Sequence, residues 1–74
     1  MQKIEMDVTI TVTGEVDCKE MQEDLKEYGA TVTQLPDGAK VEVRVDIIND
    51  AIEHIMTVCH KYGDHEVKAK RVGL

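Results

Sequence analysis

The chain has 74 residues and a formal net charge of −6, and it contains neither Phe nor Trp. A chain of this length buries roughly 60% of its unfolded surface, so we expect one domain, residues 1–74, with a small aliphatic core. The negative charge argues against a nucleic-acid backbone or an anionic membrane as partner. The first residues show no signal-peptide pattern and no CxxC pair is present, so we expect a reducing, cytoplasmic location.

The first half of the chain predicts a strand, a helix and a second strand. Residues 4–13 alternate strictly between apolar and polar side chains, which is typical of a half-buried strand. Asp17 with Glu20 makes a capping box, and the helix that follows ends at Gly29. A shorter strand then covers residues 30–35.

The second half repeats this order. Residues 36–38 (Pro-Asp-Gly) predict a tight turn, and residues 40–46 alternate again as a strand. Asp46 can cap an amphipathic helix that Gly63 closes. The last strand is predicted over residues 65–72, and the apolar stripe of the helix comprises Ile48, Ala51, Ile52, Ile55, Cys59 and Tyr62.

The element order is therefore strand, helix, strand, strand, helix, strand. Two right-handed crossovers joined by a hairpin predict a ferredoxin-like α+β sandwich, with antiparallel sheet order 4-1-3-2 and both helices on one face. This order identifies an architecture, and an architecture alone does not determine function.

The predicted topology brings the start of the first helix and the end of the second to the same end of the sandwich. Four side chains with metal-binding chemistry would gather there: Cys18, Cys59, His60 and His65. Thiolates and imidazoles are ligands for Zn(II) or Cu(I), so one hypothesis is a metal site. The alternatives are that both inward-facing thiols pack in the core, or that they form a disulfide in an oxidising compartment.

Residues 10–21 loosely resemble the metal loop of heavy-metal-associated domains, which share this fold. That resemblance implies a ligand role for Cys18, the one position that matches the two-cysteine motif of the family. Met21 stands in place of the second cysteine, and Gly14 lies one residue too far upstream. The chain therefore keeps half of that family's site.

Catalysis and nucleic-acid binding are both disfavoured by the residues present. The chain has no Ser, and the loop after the first strand carries Glu15 and Asp17, which would repel an anionic substrate. The sheet face that the helices leave open has no aromatic side chain on which a base could stack. We therefore expect no enzyme, no resident cofactor and no nucleic-acid partner.

The two predicted edge strands differ in charge. The last strand carries Lys68, Lys70 and Arg71, which is the usual protection of an exposed edge, whereas residues 30–35 carry no charge and nothing in them blocks pairing. We expect this second edge to pair with another copy or a partner strand, through Thr31, Val32, Thr33 and Gln34.

The favoured function is a non-catalytic interaction or regulatory module that forms a homodimer or binds a protein partner. The first alternative is a metal-binding or metal-delivery protein that uses Cys18, Cys59 and His60. The second is an acidic decoy that blocks a basic, nucleic-acid-binding surface.

Overall fold

The structure is a computed structural model that describes residues 4–46 and 50–72. Its elements are β1 (Glu5–Thr13), α1 (Cys18–Leu25) with a 3₁₀ turn (Lys26–Tyr28), β2 (Thr31–Leu35), β3 (Gly38–Asp46), α2 (Ala51–Tyr62) and β4 (Asp64–Arg71).

The four strands form one antiparallel sheet in the order β2-β3-β1-β4. This is the predicted order read from the other edge, so the ferredoxin-like two-layer sandwich is confirmed. Strands β1 and β3 occupy the centre, and each is nine residues long and alternates between buried and more exposed residues. Strands β2 and β4 are the two edges of the sheet.

The core lies between the sheet and the two helices. On the central strands, alternate residues such as Ile10, Val12 and Val41 are completely buried. The helices contribute residues three or four positions apart, among them Met21, Leu25 and Ile55. The intervening residues of β1 and β3, which are mostly polar, face the open side of the sheet.

The second helix begins later than predicted. Asp46 does not cap it: this residue is the last of β3 and pairs with Glu5 across the sheet, because the ladder with β1 continues to that point. The N-cap of α2 is Asp50, whose side chain makes no capping hydrogen bond. The predicted stripe residue Ile48 lies outside the described residues.

The third strand begins earlier than predicted, at Gly38, so that only Pro36 and Asp37 connect β2 to β3. A Cβ atom at Gly38 would overlap the Val12 carbonyl oxygen. Only glycine lets the hairpin approach β1 this closely, and the Gly14 N–H donates to the Asp37 carbonyl at 2.9 Å.

Within residues 4–46 and 50–72, neither helix has the length and the apolar composition that a membrane crossing requires.

Candidate functional site

Two histidines meet at the end of the sandwich where α2 connects to β4. The rings of His60 and His65 are edge to face, with centroids 5.7 Å apart. Gly63 makes the connection: its φ is 153°, and a Cβ there would lie 2.6 Å from the Thr13 carbonyl oxygen. The close approach of this linker to β1 places the imidazole pair beside the end of the sheet.

The two cysteines are free thiols in the helix layer, Cys18 at the start of α1 and Cys59 near the end of α2. Cys59 is completely buried, whereas Cys18 is half-buried and packs against the core. Burial raises the pKa of the Cys59 thiol to about 11, because the apolar surroundings penalise the thiolate. Formation of the thiolate is therefore less favourable at Cys59 than at an ordinary cysteine.

The predicted metal set is brought together only in part. The structure pairs His60 with His65, but within the described part of the chain no three His, Cys, Asp or Glu side chains converge closely enough to hold an ion. The Zn(II) or Cu(I) hypothesis based on Cys18, Cys59, His60 and His65 therefore stays a prediction.

The outer edge of β2 is occupied over its first half by a side chain of α1. The Gln22 amide nitrogen donates to the Ala30 carbonyl at 2.8 Å, and the Val32 N–H donates to the Gln22 amide oxygen at 2.9 Å. One side-chain amide thus makes the two hydrogen bonds that a peptide group of a neighbouring strand would make. Nothing within residues 30–35 blocks pairing, but a residue of α1 covers this half of the edge, and we name the contact the Gln22 clasp.

The second half of the β2 edge has a different environment. Residues of a strand alternate between its two edges, so the Gln34 N–H points outward like that of Val32. The Gln34 side chain is turned to the hairpin, where its amide nitrogen donates to the carbonyls of Leu35 and Gly38 at 2.9 Å. Thr31 and Thr33 are exposed and uncharged, so the predicted interaction residues all lie on β2 with no charge among them.

The open face of the sheet carries charge of both signs. Arg44 Nε donates to Asp7 Oδ1 at 3.0 Å, and Lys40 lies 3.5 Å from Glu42 on the same strand. A depression of about 550 Å³ lies on this face, and its lining comprises polar and charged residues together with four nonpolar ones: Asp7, Thr9, Glu42, Arg44, Lys68 and Lys70, with Val8, Gly29, Val43 and Ala69. We interpret this face as a solvated surface, since its ion pairs are exposed and pairs of this kind stabilise a protein little.

The other edge, β4, carries four charges on the open face. Asp64, Glu66, Lys68 and Lys70 lie opposite Thr13, Thr11, Thr9 and Asp7 of β1, respectively. All four are exposed, and within the described residues none is in an ion pair. Two acidic residues are thus followed by two basic ones along a single free edge, which we name the β4 charge row.

Sequence reasoning missed the Gln22 clasp. Gln22 lies eight residues before Ala30 and ten before Val32, and these separations correspond to no local motif. Only the packing of α1 beside β2 brings these groups together. The β4 charge row is visible in the sequence, but the face and the edge on which it lies follow from the sheet register.

The fold and these edges define a class, a ferredoxin-like α+β domain with two differently protected sheet edges. Beyond this class, no known family, curated protein or solved structure matches the chain.

Proposed function

We propose that this chain is a small, non-catalytic cytoplasmic interaction module, which binds an extended strand along the outer edge of β2. The strand comes from a second copy or from another protein. The observation that carries the proposal is the Gln22 clasp, in which the outward-facing backbone of β2 is already bonded to an amide that belongs to no strand.

The clasp supports this function because both of its hydrogen bonds come from one side chain, which an incoming strand can replace. A side-chain amide satisfies the Ala30 carbonyl and the Val32 N–H, so neither group is left unpaired while the edge is free. An incoming strand offers the same donor and acceptor and continues past Gln34, adding further backbone hydrogen bonds. Strand addition of this kind takes its affinity from main-chain bonds and its specificity from alternate side chains.

The composition of β2 also supports the proposal. Its exposed threonines favour extended backbone and bring no charge that an approaching strand would have to desolvate. Natural edges that must stay unpaired carry charges, proline or bulges, and β2 has none of these between Thr31 and Leu35.

The test uses a synthetic peptide of residues 30–35 as the probe strand. Its binding is followed by the NMR shifts of the Val32 and Gln34 amides, while sedimentation velocity reports self-association. We expect Gln22→Ala to increase both peptide binding and self-association, because the clasp no longer competes. Thr33→Glu should weaken both, because it adds a charge to the edge. The fold should tolerate this charge, since position 33 faces the cation Lys40 across the ladder.

The matched control is Glu23→Ala, the neighbouring exposed position on α1, which should change neither measurement. Unshifted Val32 and Gln34 amides in the Gln22→Ala variant at millimolar peptide would rule out strand addition at this edge. A monomer at high micromolar concentration would reject the version in which the partner is a second copy.

Two other experimental outcomes would each support one of the alternative functions instead. Native mass spectrometry that finds one Zn(II) or Cu(I) ion per chain, lost in Cys18→Ser, would support the metal-delivery alternative. Binding to a basic protein that weakens steeply with salt would support the acidic decoy.

A further inference from the structure

The β4 charge row is complementary to itself when two copies of β4 run antiparallel. With Val67 on the two-fold axis, Asp64 lies opposite Lys70 of the second copy and Glu66 lies opposite Lys68 of the second copy. The symmetry generates the reciprocal contacts, so the pairing contains four contacts between opposite charges. All of them lie on the open face of the sheet, because the four residues share one face of β4.

The backbone permits this register. In this register the numbers of two paired residues always sum to 134, so both are even or both are odd. Even-numbered residues of β4 direct their N–H and C=O groups to one edge of the strand, and odd-numbered residues direct theirs to the other. The N–H and C=O groups of two paired residues therefore point outward together or inward together, as an antiparallel ladder requires. A shift by one residue would place an outward-facing group opposite an inward-facing one and would lose the ladder.

The charges also disfavour the neighbouring registers that the backbone allows. A shift by two residues one way leaves Asp64 opposite Lys68 but places Glu66 opposite its own copy. A shift the other way leaves Glu66 opposite Lys70 but places Lys68 opposite its own copy. Like charges directly opposite each other destabilise a strand pair. The register centred on Val67 therefore gives four opposite-charge contacts and no like-charge contact.

Residues on the helix-facing side of β4 fit the same arrangement. Val67 is half-buried and would meet its own copy on the two-fold axis. Ala69 pairs with the buried Val8 and so lies on the core side, yet it is exposed, because nothing beyond the edge covers it. In the symmetric pair, Ala69 is covered by His65 of the second copy.

We propose that two copies of this chain join β4 to β4 in the register centred on Val67, so that two four-stranded sheets form one continuous sheet. The charges of β4 then favour pairing with a second copy, in addition to preventing association with other strands. This dimer leaves both β2 edges free at its outer ends, so it is independent of the proposed binding of a strand at β2.

The decisive test is a charge exchange at positions 66 and 68, which face neutral threonines within the protomer. In a homodimer, Glu66→Lys places the introduced lysine opposite Lys68 twice, and Lys68→Glu places the introduced glutamate opposite Glu66 twice. Sedimentation equilibrium from about 10 to about 500 µM suits a small interface. Each single variant should dissociate at least about tenfold more readily than the wild type.

Complementation distinguishes this register from a general charge effect. An equimolar mixture of the two single variants restores all four opposite-charge contacts, so a heterodimer should form with wild-type affinity. The double variant Glu66→Lys/Lys68→Glu restores them within one chain and should recover the homodimer. Glu23→Lys and Lys26→Glu, which make the same charge changes on the α1 side, should leave the wild-type affinity unchanged.

Circular dichroism verifies that each variant is folded before its mass is interpreted. A monomeric wild type at 500 µM would overturn the proposal, and so would single variants that associate like the wild type. A mixture of folded variants that stays monomeric while the wild type dimerises would also reject this register.

Discussion

At the scale of single residues, the most informative side chain is Cys59. Its placement on the apolar stripe of α2 was predictable from spacing, and its complete burial follows from that position. Its chemistry follows from burial as well, because the thiolate loses hydration that the core does not replace. The core therefore favours the protonated form of this thiol.

This burial predicts a pH dependence of stability. The folded-state pKa of Cys59, about 11, lies above the ordinary value of 9.0, so folding favours the protonated thiol. The resulting stability is fully present below pH 9 and is lost as the pH rises from 9 towards 11. The free energy of unfolding from urea titrations should fall across this range, and the fall should be smaller in Cys59→Ala.

The same variant should cost about 1–2 kcal/mol at pH 7, because it leaves a small cavity in the core. Cys18→Ala, which removes a half-buried thiol, serves as its control and should cost less stability at pH 7, because it leaves less buried space unfilled. Labelling with a thiol reagent adds a second check: Cys18 should react first, and Cys59 only after opening of the core. Equal labelling rates for the two thiols in the folded protein would contradict this assignment.

Tyr62 shows how a residue's role depends on its partner. Its hydroxyl donates to Asp24 Oδ2 at 2.7 Å, which joins α2 to α1 on the outer side of the helix layer. This hydrogen bond, together with desolvation and the nearby negative charge, raises the pKa of Tyr62. The stripe spacing alone identified Tyr62 as an inward residue and contained no sign of this partner.

At the scale of elements, the two helices begin in different ways. Asp17 Oδ1 accepts from the N–H groups of Lys19 and Glu20, both at 3.1 Å, so α1 has the side-chain cap that the sequence predicts. Asp50 occupies the equivalent position of α2 without a capping hydrogen bond. The same residue type thus contributes differently because the N-cap backbone differs: Asp17 is extended, with ψ 95°, whereas Asp50 has ψ 0°.

This difference predicts unequal effects of two matched substitutions. Asp17→Ala should lower the free energy of unfolding by about 1 kcal/mol, since it leaves two N–H groups of α1 without their acceptor. Asp50→Ala should cost roughly a third of that, since it removes only the interaction of the carboxylate with the helix dipole. Urea titration of the two variants measures both values, and equal losses would contradict the assignment of the caps.

At the scale of the whole molecule, charge acts in two opposite directions. The net charge of −6 makes the folded chain repel itself, whereas the β4 charge row attracts a second copy. Dissolved salt screens both effects. Screening should therefore raise the stability of the monomer, whereas association gains from the weaker repulsion between two chains of charge −6 and loses from the weaker contacts of the β4 charge row.

Raising NaCl from about 0.05 to about 0.5 M should raise the Tm of the dilute monomer by about 2–5 °C, because self-repulsion is screened. Over the same range the dimer of the control Glu23→Lys should lose more affinity, or gain less, than the dimer of Glu66→Lys, because the two variants have the same net charge and only the control keeps all four attractive contacts of the β4 charge row. Calorimetry at low micromolar concentration and sedimentation at high concentration measure the two effects separately. If these two variants respond to salt equally, the β4 contact is not electrostatic.

The sequence by itself determined the order and type of the elements. Alternation over residues 4–13 and the helical spacing of residues 51–62 are local patterns, and they identify a strand and a helix without knowledge of what packs against them. The start of α2 was wrong because Asp46 is held by its ladder partner Glu5, a contact 41 residues away along the chain.

Only the tertiary structure decided what the two edges of the sheet can do. The Gln22 clasp exists because α1 packs beside β2, and the common face of the β4 charge row follows from its register with β1. Both features join residues that are distant in sequence, and no propensity or cap pattern encodes them. Local periodicity therefore determined the elements, whereas long-range packing determined which backbone groups and charges remain available to another chain.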